Sequence, residues 1–319
     1  MIQILHDTKI PFMSYRKYFY AFSAAVILAT VAWLVAHGGP RYSVDFTGGT
    51  LFEVKTAKVL HPDDVRKQLD AVGYKGYELQ AAGAGDDLLI RLPSQEAEID
   101  PVTHHPVDPF LKVQGALLKA DPASAPELRH VEAVGPKVGG ELRSKALWAV
   151  LMSLGGILIY VGIRYDFKFA VGAVIALFHD VFAAFGVILF MHREVSLTVI
   201  AALLTLAGYS INDTIVVFDR IRERSKQLHK LSHEEMMNTA MNETLSRTII
   251  TSLTVFLAVL ALYLFGGEVI NDFALCMLAG VIFGTYSSIY VASALALEIW
   301  NRLDKKKGVV RPKTAKSAA

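Results

Sequence analysis

The residues of this chain that could do chemistry are few, and they stand where such residues are costly. His179-Asp180, Asn212-Asp213 and Arg247 interrupt runs that are otherwise apolar, and Thr251 follows Arg247 by one helical turn. A charge inside a bilayer costs from about 2.5 to more than 10 kcal/mol, and a residue that carries one turns toward a protein interior. A carboxyl group in low dielectric resists ionisation, and a nearby cation reverses that resistance. A short aspartate that an arginine can approach or leave is therefore a proton switch. Asp213 and Arg247 suit that role, with Thr251 on the same helix face, within reach of the carboxylate or of a water. Asp213 is too short to snorkel, whereas Arg247 taken alone reads first as an arginine reaching for the interface. His179 and Asp180 read either as further relay groups or as a hydrogen-bonded support between helices, and Asn212 is open to the same two readings.

The elements that must position these residues are membrane spans. Of 319 residues, 53% are hydrophobic and 19% charged, against about 25% charged in soluble domains. Mean hydropathy is +0.39. Apolar runs at 18–36, 146–163, 169–191, 195–218, 248–267 and 273–297 are each long enough to cross a hydrocarbon core about 30 Å thick. The first is too long for the apolar core of a signal peptide and reads as a retained helix. These features exclude a soluble enzyme, a disordered chain and a small disulfide scaffold. A net charge of +2 offers no field for nucleic acid, and the single cysteine, Cys276, reads as core filler.

Lysines and arginines set the expected orientation. They gather in the tail 1–17, in the short connection 164–168, in the cytoplasmic loop 219–247 and in the basic tail 298–319. The alternate connections carry almost none, so both termini are expected in the cytoplasm. The long segment 37–145 then lies outside as a domain of its own. Its pattern predicts strands at 50–56, 77–82, 88–92 and 128–134, with helices at 62–72 and 108–118. That βαββαβ order is the order of a ferredoxin-like domain. The stretch 93–109 reads as an irregular connection. Within it His104-His105 has no third ligand nearby and reads as surface loop rather than as a metal site. In the cytoplasmic loop, Ser232 with Glu235 has capping-box spacing and predicts a short helix to Asn242. Met236, Met237, Ala240 and Met241 would form its buried stripe. Gly280 and Gly284, four apart in the last span, read as a close helix-packing face.

Motifs of metalloproteases, serine hydrolases and P-loop enzymes are lacking, which predicts a non-enzyme without cofactors. An ion gradient is then the available energy source, since one charge moved across 100 mV is worth about 2.3 kcal/mol.

Several runs resemble a known family. Val44-Asp45-Phe46-Thr47-Gly48-Gly49-Thr50 follows the first span, and Val134-Gly135-Pro136-Lys137-Val138-Gly139 precedes the second. The fourth span ends in the run from Gly208 through Asn212, Asp213 and Asp219 to Glu223, and the fifth opens with Ser246-Arg247-Thr248. Together they are similar to the SecF branch of the SecD/SecF family, within the resistance-nodulation-division superfamily. The resemblance implies a polytopic subunit of the bacterial Sec translocase, in the inner membrane, that pairs with SecD and uses the proton-motive force to promote export. It further implies SecYEG, SecA, YajC and the exported unfolded polypeptide as partners. Protons are the implied coupling ion, with Asp213, Arg247 and Thr251 as the relay. SecD would supply an aspartate of its own, so half of the relay lies outside this chain. An exporter of small molecules or lipids shares the implied fold and is the alternative, and a purely structural scaffold would leave Asp213 without a purpose.

Overall fold

The computed structural model describes residues 8–82, 86–93, 108–228 and 231–306. The elements in chain order are α1 (Arg16–His37), α2 (Val44–Thr47), β1 (Gly49–Lys55), α3 (Pro62–Ala71), β2 (Glu78–Ala82), β3 (Asp87–Leu92), α4 (Pro109–Ala120) and β4 (Glu127–Val134). Then follow α5 (Pro136–Arg164), α6 (Phe167–Phe190), α7 (Leu197–Gln227), α8 (His233–Phe265) and α9 (Glu268–Ser287). A π turn, Ser288–Ala292, joins α9 to α10 (Ser293–Lys306). The chain forms two compact units, Tyr42–Leu147 and the helical remainder.

Among the described residues of the helical unit, six helices are long and apolar enough to cross a membrane. The chain is a multi-pass membrane protein. Its interior is built from α6, α7, α9, the π turn and α10, where Ala176, Ala184, Ile188, Leu206, Phe218, Cys276, Ala292 and Leu297 are buried. Helices α1, α5 and α8 present much of their apolar surface outward, as Val35, Ile163 and Phe265 show. Glycines set the closest approaches. A Cβ on Gly186 would overlap Thr30 of α1, and one on Gly172 would meet the backbone carbonyl of Ala292.

The helix ends differ from the sequence expectation in instructive ways. The short helix expected to stop at Asn242 and the span expected from 248 are one helix, α8. Neither glycine nor proline separates them. Glu243, between the two, accepts from Arg220 Nε at 2.7 Å and Arg224 Nη2 at 2.6 Å, which ties the joint to α7. The predicted capping box is present at Ser232 and Glu235, and Met236, Met237, Ala240 and Met241 are buried. Likewise α7 runs on past residue 218 to Gln227, and α5 starts at Pro136 rather than at 146. Polar residues there keep helical propensity after the apolar run has ended. The last span, expected as one run over 273–297, is broken by the π turn, in which Ser293 N–H donates to Ser288 O.

In the other unit the strands form a four-stranded sheet in the order β2-β3-β1-β4. All neighbours are antiparallel, with Phe52 opposite Ile90 and Val131. Phe52, Val54, Leu88 and Ile90 turn one face of the sheet to Val65 and Leu69 of α3 and to Val113 and Leu117 of α4. The alternation of side chains along a strand makes that face possible. Strand and helix bounds lie within a few residues of those expected. The short α2, capped by Ser43, is an addition. The two glycine-bearing motif runs meet here. Gly48 and Gly49 have φ of 71° and 126°, a region that side chains disfavour. A Cβ on Gly139 would come within 3.0 Å of Gly48 N. The motifs thus let the chain turn from α2 into β1 while the start of α5 packs backbone to backbone against that turn. His104, His105 and the tail beyond residue 306 lie outside the described residues.

Candidate functional site

Asp213 is 4% exposed on the inner face of α7. A buried carboxylate needs hydrogen-bond donors, and the neighbouring helix provides one: Ser252 Oγ donates to Asp213 Oδ2 at 3.3 Å. Ser252 is itself held by two further hydroxyls. Tyr209 of α7, one turn from Asp213, donates at 3.2 Å, and Thr285 of α9 donates at 2.9 Å. The carboxylate therefore heads a hydroxyl cluster that joins α7, α8 and α9.

The other residues expected in a relay stand beside this cluster without closing on it. Thr251 donates to the backbone oxygens of Arg247 and Thr248, both at 3.0 Å, and its hydroxyl also acts on Asp213. Arg247 is exposed and, among the described residues, makes no ion pair. Its charge reaches Asp213 only over a longer distance. One turn of α8 separates it from Thr251, so the two residues share a helix face. Asn212 is exposed. Successive helical residues point about 100° apart, so burying Asp213 turns Asn212 outward and away from the site. Within this chain Asn212 therefore makes no part of the cluster around Asp213.

His179 and Asp180 form a second buried centre, 6% and 0% exposed. Asp180 Oδ1 meets His179 Nδ1 at 2.8 Å. Asp180 Oδ2 accepts from Ser287 Oγ at 2.6 Å and from Ser210 Oγ. The other ring nitrogen, His179 Nε2, meets Tyr286 OH at 2.8 Å. Tyr286 in turn meets Ser23 Oγ of α1 at 3.2 Å. The result is a hydrogen-bonded network linking α1, α6, α7 and α9. Gly284 leaves the room for it, since its missing side chain faces Asp180 Oδ2 and Ser210. Gly280 packs against Leu206 of α7.

Sequence reasoning missed Tyr209, Thr285 and Tyr286 as members of these clusters. Single hydroxyls in an apolar run barely alter hydropathy, and their partners lie on other helices. Among the described residues, no group of three or more His, Cys, Asp or Glu side chains could hold a metal ion.

Comparison with known proteins places this arrangement. Residues 114–302 match the C-terminal region of the protein export membrane proteins SecD and SecF, and residues 33–58 match the SecD/SecF GG motif. The chain is 41% identical over 301 residues to protein translocase subunit SecF of Thermodesulfovibrio yellowstonii, covering 93% of this chain and 97% of that one. It is 38% identical to SecF of Escherichia coli O157:H7, covering 93% and 90% of the two chains. Among solved structures it is similar to SecDF, a translocon-associated membrane protein from Thermus thermophilus, with a TM-score of 0.80 and 39% identity. That superposition covers 93% of this chain and 39% of the longer SecDF chain. These relatives are translocase subunits rather than small-molecule exporters. The chain, from its GG turn to its buried aspartate, belongs to the SecF family of protein translocase subunits.

Proposed function

We propose that this translocase subunit draws on the proton-motive force through Asp213, Arg247 and Thr251, working with SecD in the inner membrane to promote export of unfolded polypeptide. The single observation that carries the reading is the environment of Asp213. A carboxylate buried between helices is held by a serine hydroxyl, and an arginine that makes no ion pair among the described residues stands one turn from its threonine neighbour, which suits a group switched by a proton. Ionised, it attracts Arg247. Protonated, it releases that attraction and keeps only the hydroxyl contacts. Switching the balance between two packings takes a few kcal/mol, which one or two protons crossing the membrane supply.

The same reading puts both termini in the cytoplasm, because the basic residues fall on one side. It treats the unit Tyr42–Leu147 as a ferredoxin-like domain on the outer side. What supports that name is the sheet order, with β3 standing between β1 and β2 and antiparallel to both. SecYEG, SecA and YajC are the further partners that membership of the family suggests. No organic cofactor or metal enters the mechanism, and protons are the coupling ion.

The experiment is reconstitution of the complex with SecD in proteoliposomes. Asp213→Asn keeps shape and hydrogen bonding but cannot titrate. It should assemble and lose proton-driven export, and normal export by this variant would overturn the reading.

A further inference from the structure

Three consecutive residues of α9 each hold a different neighbour. Thr285 Oγ1 donates to Ser252 Oγ at 2.9 Å, and Ser252 holds Asp213. Tyr286 OH meets both His179 Nε2 and Ser23 Oγ, at 2.8 and 3.2 Å. Ser287 Oγ donates to Asp180 Oδ2 at 2.6 Å. Because successive residues of an α-helix point about 100° apart, one turn of α9 addresses α8, α1 and α6 at once. Helix α7 closes the circuit from the other side. It gives Asp213 and Tyr209 to the first cluster and Ser210 to the second.

Packing alone does not call for this arrangement. Small apolar residues are the economical choice where helices touch in a membrane, and each buried hydroxyl must find a partner or cost free energy. Thr285 and Ser287 also reach backbone oxygens of their own helix, Val281 O and Gly284 O, yet all three side chains in addition meet the two buried carboxylate centres or the helix α1. The π turn begins at the next residue, and such turns recur at functional sites in helices.

We infer that Thr285, Tyr286 and Ser287 are positioning residues that tie the protonation state of Asp213 to the placement of α1. The inference rests on the relay reading given above. When Asp213 takes up a proton its carboxyl group becomes a donor as well as an acceptor. Loss of the negative charge weakens the bond that Ser252 donates, and with it the hold of Ser252 on Thr285. Because Thr285 and Ser287 are on one rigid turn, the change passes to Asp180, and through Tyr286 to His179 and Ser23. The ionisable groups that face this path are Tyr209 from α7 and Arg247 from α8 at Asp213. At Asp180 they are His179 from α6 and Tyr286 from α9.

The test uses the complex with SecD in proteoliposomes, with a pH-sensitive dye inside to read proton flow and a protease-protected substrate to read export. Tyr286→Phe removes the link to Ser23 and His179. It should conduct protons while export per proton falls about tenfold. Thr285→Val, close in shape but without the hydroxyl, should shift the pH midpoint of conduction by about one unit, and Thr285→Ser should restore it. Should Tyr286→Phe fail to assemble, Ser23→Ala cuts the same link from the α1 side and should give the same loss of export per proton. Wild-type midpoint and wild-type export per proton in assembled Thr285→Val and Tyr286→Phe would overturn the inference. If Asp213→Asn is inactive in that case, the relay reading stands and only the coupling role fails. If Asp213→Asn conducts normally, the relay reading itself falls.

Discussion

Ser252 on α8 donates its hydroxyl to the Asp213 carboxylate on α7 at 3.3 Å, while the arginine one turn below Thr251 stays exposed. The hydroxyl, rather than a cation, holds the buried acid in this arrangement. Ser252→Ala should therefore slow proton-driven export without abolishing it. Loss of one hydrogen bond to a charged group is worth about 1.5–3 kcal/mol, so a fall of about tenfold or more is expected. Asp213→Asn should fall much further. Export rates of the two variants in proteoliposomes, measured side by side, check the ranking.

Arg247 separates function from stability. Because it makes no ion pair among the described residues, Arg247→Met should change unfolding free energy by less than ~0.5 kcal/mol, as surface substitutions do. The same variant should lose proton-dependent export. Thermal unfolding in detergent together with the export assay gives both numbers, and a large loss of stability would show that the arginine is a structural group.

Glycine positions should rank by what their side of the helix touches. A Cβ at Gly172 meets the fixed carbonyl of Ala292, whereas one at Gly280 meets the flexible end of Leu206. Gly172→Ala should cost about 1–3 kcal/mol through overpacking, and Gly280→Ala should cost less because Leu206 can change rotamer. Denaturation of both variants in the same detergent tests the order.

Glu132 on β4 makes a pH prediction in the unit Tyr42–Leu147. Burial, then the charge of Asp45 and a hydrogen bond with it, raise its pKa above the ordinary value of 4.5, against the opposing influence of His130 and Arg91. A carboxyl whose folded pKa is raised binds its proton more tightly in the folded state. Its contribution to stability is present below the unfolded pKa and is lost as pH rises through the folded one. Glu132→Gln should therefore match the parent chain in acid and exceed it at neutral pH. Melting temperatures of the full-length protein from pH 4 to 8 would show the two curves parting as pH rises.

The spans were legible because hydropathy is a property of single segments. Asp213 was legible for the same reason, since a short acid in an apolar run stands out on cost alone. The exposure of Arg247 was not, because a long side chain at a helix start satisfies sequence reasoning whichever way it points. The outward facing of Asn212 was not legible either, for a related reason: adjacency to Asp213 in the chain means divergence on a helix. The role of Gly186 escaped notice because only Thr30, more than a hundred and fifty residues away, explains it. The Thr285–Ser287 turn shows the same limit, for its hydroxyls acquire meaning only from Ser252, His179 and Asp180 on other helices.

The π turn at Ser288–Ala292 also sets the azimuth of everything after it. Such a turn holds one residue more than the α-helical turn it replaces, so α10 is rotated by about 100° relative to a straight continuation of α9. With that rotation Ala294, Ala296 and Leu297 face inward. Trp300 comes to lie 3.9 Å from Lys168 Nζ, 4.1 Å from the His233 ring and 5.8 Å from the Phe169 ring. Excising a single residue from this stretch would leave composition and hydropathy almost unchanged, yet it would swing the indole away from all three partners. The last helix is thus keyed to its neighbours by a frame shift in the helical screw, which conservative substitution cannot disturb and a one-residue deletion must.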